Sequence, residues 1–119
     1  VEDNELNLEI AVELLKYDGL NITTAKNGLE GLDKFKAAPP GTYALILMDI
    51  QMPVMNGLEA AKAIRALPVK DAQTVPIVAM TANAFPEDIA ATLQAGMNEH
   101  LSKPIDLEQF HSILQKWCQ

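Results

Sequence analysis

Tyr43-Ala44-Leu45-Ile46-Leu47-Met48-Asp49 is the stretch whose reading decides the fold. Its apolar run has no polar alternation. That suits a strand buried on both faces of a parallel sheet, because a half-exposed antiparallel strand would alternate. The run ends on a carboxylate and opens Asp49-Ile-Gln-Met-Pro-Val-Met-Asn-Gly57, a turn that Pro53 and Gly57 keep out of helix. An acidic group held at the end of a buried strand is positioned for chemistry.

Outward from this strand, helix and strand signals alternate. Leu6, Ile10, Ala11, Leu14 and Leu15 recur at helical spacing, with Asp3 or Asn4 available as N-cap and Asp18-Gly19 as the stop. Residues 20–25 are short and β-branched, as a strand should be. Asn27-Gly28 then leads into a helix bearing Leu32 and Phe35, ended by Pro39-Pro40-Gly41. Downstream, Leu58, Ala61 and Ile64 predict a helix, and a polar connector runs to Pro76. Residues 77–80 repeat the buried-strand pattern and deliver Thr81-Ala82-Asn83. Ile89 and Leu93 share one face of a further helix ended by Gly96. Residues 97–102 predict a short last strand, and Leu107, Phe110, Leu114 and Trp117 stripe a final helix. The order is βαβαβαβαβα.

Such alternation calls for right-handed crossovers and a parallel sheet covered by helices on both faces. Ligands in these folds sit at the carboxyl ends of the strands, near the switch in strand order. Glu2-Asp3, Asp49, Thr81 and Lys103 each fall just past a predicted strand end, so they can converge although far apart in sequence.

Composition narrows the function. At 119 residues, 49% hydrophobic and 21% charged, the chain is expected to form one domain spanning 1–119 with one proper core. No apolar stretch approaches the roughly 20 residues needed to cross a bilayer, so direct membrane contact is not expected. A net charge of −7 disfavours nucleic acid, which is held by Lys and Arg. The single Cys118 forms no intrachain disulfide, and a cytoplasmic setting is the default. No secretory signal opens the sequence, which begins at Val1 and leaves upstream residues open.

Glu2, Asp3 and Asp49 clustered together would repel, by roughly 4 kcal/mol for a pair about 4 Å apart at an effective dielectric of 20. A cation must compensate. Mg²⁺ suits oxygen donors and is often held by one or two carboxylates plus a phosphate oxygen. Zinc does not fit, since His100, His111 and Cys118 lack partners at ligand spacing. A carboxylate beside Mg²⁺, a lysine and a hydroxyl is a competent phosphoryl acceptor. Lys103 would neutralise charge on the transferring group, while the Thr81 hydroxyl and the Ala82 backbone N–H could hydrogen-bond its oxygens. Taken singly, Asp49 also reads as a cap, Glu2-Asp3 as a solvated first helical turn, Lys103 as a surface lysine and Thr81 as an ST-turn. Their joint occurrence at strand ends favours the site.

Glu2-Asp3, Met48-Asp49-Ile-Gln-Met-Pro53 with Asn56-Gly57, Met80-Thr81-Ala82-Asn83 and Lys103-Pro104 occur in the order found in response-regulator receiver domains, which the chain resembles over nearly its whole length. The resemblance implies a flavodoxin-like (βα)5 three-layer sandwich with sheet order 2-1-3-4-5. It implies that Asp49 accepts a phosphoryl group from a phosphohistidine, as a signalling switch in a two-component phosphorelay, with the domain catalysing both this transfer and its own dephosphorylation. Asp3, Asp49 and the Gln51 carbonyl would bind Mg²⁺, with Glu2 acting largely through water. Gln51 and Asn83 would tune dephosphorylation. The Lys103–Pro104 bond would be cis, Pro104 helping to set Lys103. Thr81 would be the switch hydroxyl, and the family's switch aromatic falls on His100, a polar and titratable departure that equally suits an edge-strand packing residue.

Residues 80–105 look most like receivers attached to hybrid sensor histidine kinases. The expected partners are therefore a histidine kinase or a histidine phosphotransfer domain, docking around Leu6, Asn7 and Ile105. In that context the chain would be the cytoplasmic part of a membrane-bound sensor. Only Val1 precedes the acidic pair, so the first strand looks truncated. Its remainder is expected from upstream residues, from the untrimmed protein or from another chain. The alternative is a receiver-like contact module that is not phosphorylated; it would lack the Asp, Thr or Lys, and none is missing. An aspartate-nucleophile hydrolase would show Asp-x-Asp, and an FMN carrier a Ser/Thr/Gly-rich loop after the first strand. Neither pattern is here.

Overall fold

Ile46–Asp49 (β1), Ile77–Thr81 (β2) and Glu99–Ser102 (β3) pair as a parallel sheet in the order β1-β2-β3 in a computed structural model of the chain. The structure describes residues 1–2, 8–9, 12–13, 16, 22–39, 42–50, 55–68, 70–81, 86–102 and 107–117. Asp49 stands opposite Met80, and Thr81 opposite Ser102, so both side chains of interest come to the carboxyl edge of the sheet.

Alternation along the strands divides the apolar residues between two cores. Met48, Ile77 and Ala79 pack with Phe35, Ala60, Ala61 and Ile64, whereas Val78 and Leu101 pack with Phe110 and Ile113. Helices therefore lie on both sides, as expected. Gly28–Ala37 (α1) and Gly57–Arg65 (α2) cover the first side. Lys70–Thr74 (α3) and Pro86–Gln94 (α4) are followed by Leu107–Trp117 (α5), which supplies the second. Asn27 caps α1 by accepting from the Glu30 N–H at 2.8 Å. Asn56 and Glu59 close a reciprocal capping box on α2. Of residues 8–16, those described are helical, in agreement with the first predicted helix.

On the outer side of β1, the Val1 nitrogen donates to the Leu47 carbonyl at 2.5 Å, and the Asp49 N–H donates to the Val1 carbonyl at 2.9 Å. This is one rung of a parallel ladder, with Val1 opposite Met48. The Glu2 N–H in turn donates to the Ala25 carbonyl at 3.0 Å. Backbone bonds thus run from Ala25 through Val1-Glu2 to β1, β2 and β3, which is the 2-1-3-4-5 order.

The described residues include three of the five predicted strands as ladders, while Val1-Glu2 and Ala25 add backbone rungs beside β1, and residues 3, 20 and 21 lie outside the described residues. Three expectations need correction. The strand buried on both faces is β2, with Ile77, Val78 and Ala79 wholly inaccessible, whereas the β1 ladder starts only at Ile46 and Ala44 is exposed. Among the described residues, β2 alone has a full ladder on each side. The connector before Pro76 contains α3, whose Ala72 is buried against the α2 core. Leu93 is 57% exposed, so the apolar face expected on α4 is not a core face at that position, although Ile89 is half-buried.

Candidate functional site

Register builds the site from β1 outward. Val1 pairs with Met48 and shares its core, so Glu2 and Asp49 are neighbours on the opposite side of the sheet at its carboxyl edge. Both are buried, each with 4% of its surface exposed. Carboxylates are almost never buried without compensation. Two at adjacent strand ends concentrate negative charge where an open α/β sheet takes ligands. Thr81 is half-buried and follows Met80, the residue opposite Asp49.

Helix α2 begins against the end of β1. The Ile50 N–H donates to the Met80 carbonyl at 3.3 Å, and the Gly57 N–H donates to the Ile50 carbonyl at 2.8 Å. A Cβ on Gly57 would stand 2.2 Å from the Asp49 carbonyl oxygen, so no side chain fits at that position while helix α2 starts this close. Sequence reading gave Gly57 a turn role only; its contact with Asp49 has no local signature.

His100 lies opposite Ala79, and Ser102 opposite Thr81, which puts His100 and Thr81 on the same face of the sheet one diagonal step apart. His100 is half-buried. Its neighbour Glu99 accepts from Lys116 Nζ at 3.0 Å and from the Trp117 indole at 3.1 Å. Burial alone would raise the Glu99 carboxyl, but those hydrogen bonds, with the charges of Lys116 and His100, leave it below its ordinary value. The structure thus places Glu2, Asp49 and Thr81 at the carboxyl ends of neighbouring strands, with His100 on the same face of the sheet as Thr81. Asp3, Gln51, Ala82, Asn83, Lys103 and Pro104 lie outside the described residues, as do Leu6, Asn7 and Ile105.

Among the described residues, no group of three or more His, Cys, Asp or Glu side chains comes together as a metal cluster. Glu2 and Asp49 still offer hard oxygen donors side by side, the donor chemistry that fits Mg²⁺. Among the described residues no helix is long and apolar enough to cross a membrane.

A group missed from sequence lies at the other end of the sheet. Arg65 donates from Nε to the Gly96 carbonyl at 2.9 Å, and from its two terminal nitrogens to the Ala72 carbonyl at 3.0 Å and Asn98 Oδ1 at 2.8 Å. Asn98 Oδ1 also accepts from the Ile77 N–H at 2.9 Å. Burial lowers the Arg65 pKa from its ordinary value. A last-turn arginine carries no sequence sign of such distant acceptors.

A parallel α/β sheet with buried carboxylates at its carboxyl edge defines a class of acidic, strand-end sites. Comparison with known proteins narrows the class: the family model of the response regulator receiver domain matches residues 1–115, and the chain belongs to that family. It is 41% identical over 122 residues to the osmosensing histidine protein kinase SLN1 of Saccharomyces cerevisiae, covering 99% of this chain and 10% of that protein. Among solved structures, the receiver domain of the sensor histidine kinase PA1611 from Pseudomonas aeruginosa, with a magnesium ion coordinated in its active site cleft, superposes with a TM-score of 0.87. Identity is 37%, covering 98% of this chain and 92% of that one. The receiver domain of the response regulator Ssk1, solved with the histidine phosphotransfer protein Ypd1 of Saccharomyces cerevisiae, superposes with a TM-score of 0.83. Identity is 33%, with 98% of this chain and 83% of that one covered. The chain spans about a tenth of the length of the curated relatives it matches.

Proposed function

We propose that the chain is a phosphorelay receiver in which Asp49 accepts a phosphoryl group from a phosphohistidine. The observation that carries this reading is the burial of Glu2 and Asp49 at adjacent strand ends in a chain of the receiver family. An Asp49 carboxylate oxygen attacks phosphorus as the phosphohistidine N–P bond breaks. An O–P bond forms, giving an acyl phosphate, and the imidazole leaves with the bonding pair and takes up a proton. Water later attacks phosphorus, releasing phosphate and restoring the carboxylate.

The chain's own residues divide this work. Asp3, Asp49 and the Gln51 carbonyl would hold Mg²⁺, with Glu2 acting through water; the bound ion neutralises charge on the transferring oxygens. Lys103 stabilises the same charge, and the Thr81 hydroxyl and the Ala82 N–H hydrogen-bond phosphoryl oxygens. Thr81 and His100 form the switch, Gln51 and Asn83 set the rate at which water enters, and Pro104 helps set Lys103. The phosphoryl partner is a histidine kinase or phosphotransfer domain, docking around Leu6, Asn7 and Ile105. The setting is a hybrid sensor kinase whose receiver faces the cytoplasm. Charged substitutions at all three docking positions should abolish transfer from such a partner but spare reaction with a small phosphodonor.

Intact mass after exposure to a small phosphodonor tests the central claim. Wild type should gain one phosphoryl group only with Mg²⁺, and Asp49→Asn should gain none. No Mg²⁺-dependent adduct on wild type would leave a receiver-like contact module instead.

A further inference from the structure

We infer that Gly28, in a different helix from any residue of the site, is a positioning residue for the chemistry at Asp49, an inference that rests on the phosphoacceptor reading above. The start of α2 is seated on the end of β1: the Gly57 N–H donates to the Ile50 carbonyl, and Gly57 lies against the Asp49 carbonyl oxygen. The residues just before it are held by α1. The Gly28 N–H donates to the Met55 carbonyl at 3.0 Å, and a Cβ on Gly28 would stand 2.4 Å from that oxygen and 3.1 Å from the Asn56 carbonyl oxygen. Both obstructing atoms are backbone and cannot rotate away. A side chain at position 28 must therefore push the start of α2, and with it Gly57, off its seat against the Asp49 carbonyl.

Backbone conformation does not explain the glycine. Unlike Gly96, at φ 95°, Gly28 is outside the left-handed region, and alanine would favour the helix that starts there. Close approach is the remaining reason. Gly28 is buried, and Asn27 fixes the same end of α1 by capping it. Helix α1 is thus a backstop for the start of α2, whose first residue, Gly57, lies against the carbonyl of Asp49, a carboxylate assigned to the cation. Fixing a ligand from behind in this way governs how tightly a metal is held.

The test is Mg²⁺ affinity, measured by calorimetric titration, with phosphoryl incorporation read separately by intact mass. Gly28→Ala should weaken Mg²⁺ binding about tenfold, and should slow phosphorylation at fixed Mg²⁺ without changing the half-saturating phosphodonor concentration. Ile113→Ala opens a cavity in the core on the other side of the sheet and should lower stability while keeping wild-type Mg²⁺ affinity. A folded Gly28→Ala protein with wild-type Mg²⁺ affinity would overturn the inference, as would an equal loss in Ile113→Ala. If Gly28→Ala does not fold, hydrogen exchange on wild type decides: Mg²⁺ should slow exchange of the Gly28 amide, and unchanged exchange overturns the inference. Wild type that neither binds Mg²⁺ nor takes a phosphoryl group defeats the phosphoacceptor reading itself, and this one with it. Wild type that does both, beside an unaffected Gly28→Ala, defeats only the positioning role.

Discussion

The two ends of the sheet handle charge in opposite ways. At the amino end, the half-buried Arg65 cation sits among neutral acceptors from two parts of the chain, the Ala72 carbonyl and, in the turn before β3, the Gly96 carbonyl and the Asn98 amide. At the carboxyl end, Glu2 and Asp49 bring two carboxylates into burial on neighbouring backbone. A charge surrounded by dipoles of complementary sign fastens elements together. Like charges held next to each other store an affinity for a cation. The first end fastens elements together, whereas the second collects the donors that suit a cation.

Substitutions at the two ends should therefore move stability in opposite directions. Arg65→Met should cost the most, about 3 kcal/mol in urea unfolding, because three charge-assisted hydrogen bonds go and buried acceptors lose their donor. Its Mg²⁺ response should match wild type. Asp49→Asn should instead raise stability by about 1 kcal/mol in Mg²⁺-free buffer by removing one of two like charges. It should also lose the Mg²⁺-dependent rise in melting temperature. A loss of stability in Mg²⁺-free Asp49→Asn would break the contrast.

A smaller effect comes from the Glu99 pair with Lys116 and Trp117. The folded-state Glu99 pKa lies below its unfolded value, so its stabilisation is complete above the unfolded pKa and is lost as pH falls through the folded one. The partly exposed ion pair is worth only about 0.5 kcal/mol, which Glu99→Gln should remove at neutral pH while flattening the acid limb of the stability profile. Smallest of all, Leu93→Ser should change stability by less than about 0.5 kcal/mol, since that side chain is largely in water already.

How much of this was legible in sequence depended on whether the cause was local. Residues 77–80 read as a buried strand because burial on both faces leaves an unbroken apolar run, and β2 is that strand. The neighbouring run from Tyr43 reads the same way but is half-exposed at its start, because its ladder to β2 begins only at Ile46. Helix α3 is short and polar with one buried alanine, too little periodicity to register. Of the candidate site, the position of Glu2, Asp49 and Thr81 at carboxyl strand ends followed from the strand pattern alone. Gly28 and Arg65 could not be found this way, since one acts by lacking a side chain near a distant carbonyl and the other through acceptors brought close only by the fold.

Trp117 gives the protein an optical property. It is the chain's one tryptophan, and its indole N–H is bonded to the Glu99 carboxylate while its ring packs beside the Phe110 core. A carboxylate at the indole nitrogen makes emission sensitive to whether α5 stays docked on β3, one residue from His100. Intrinsic fluorescence can therefore follow detachment of that edge in the unlabelled chain, separately from events at Asp49.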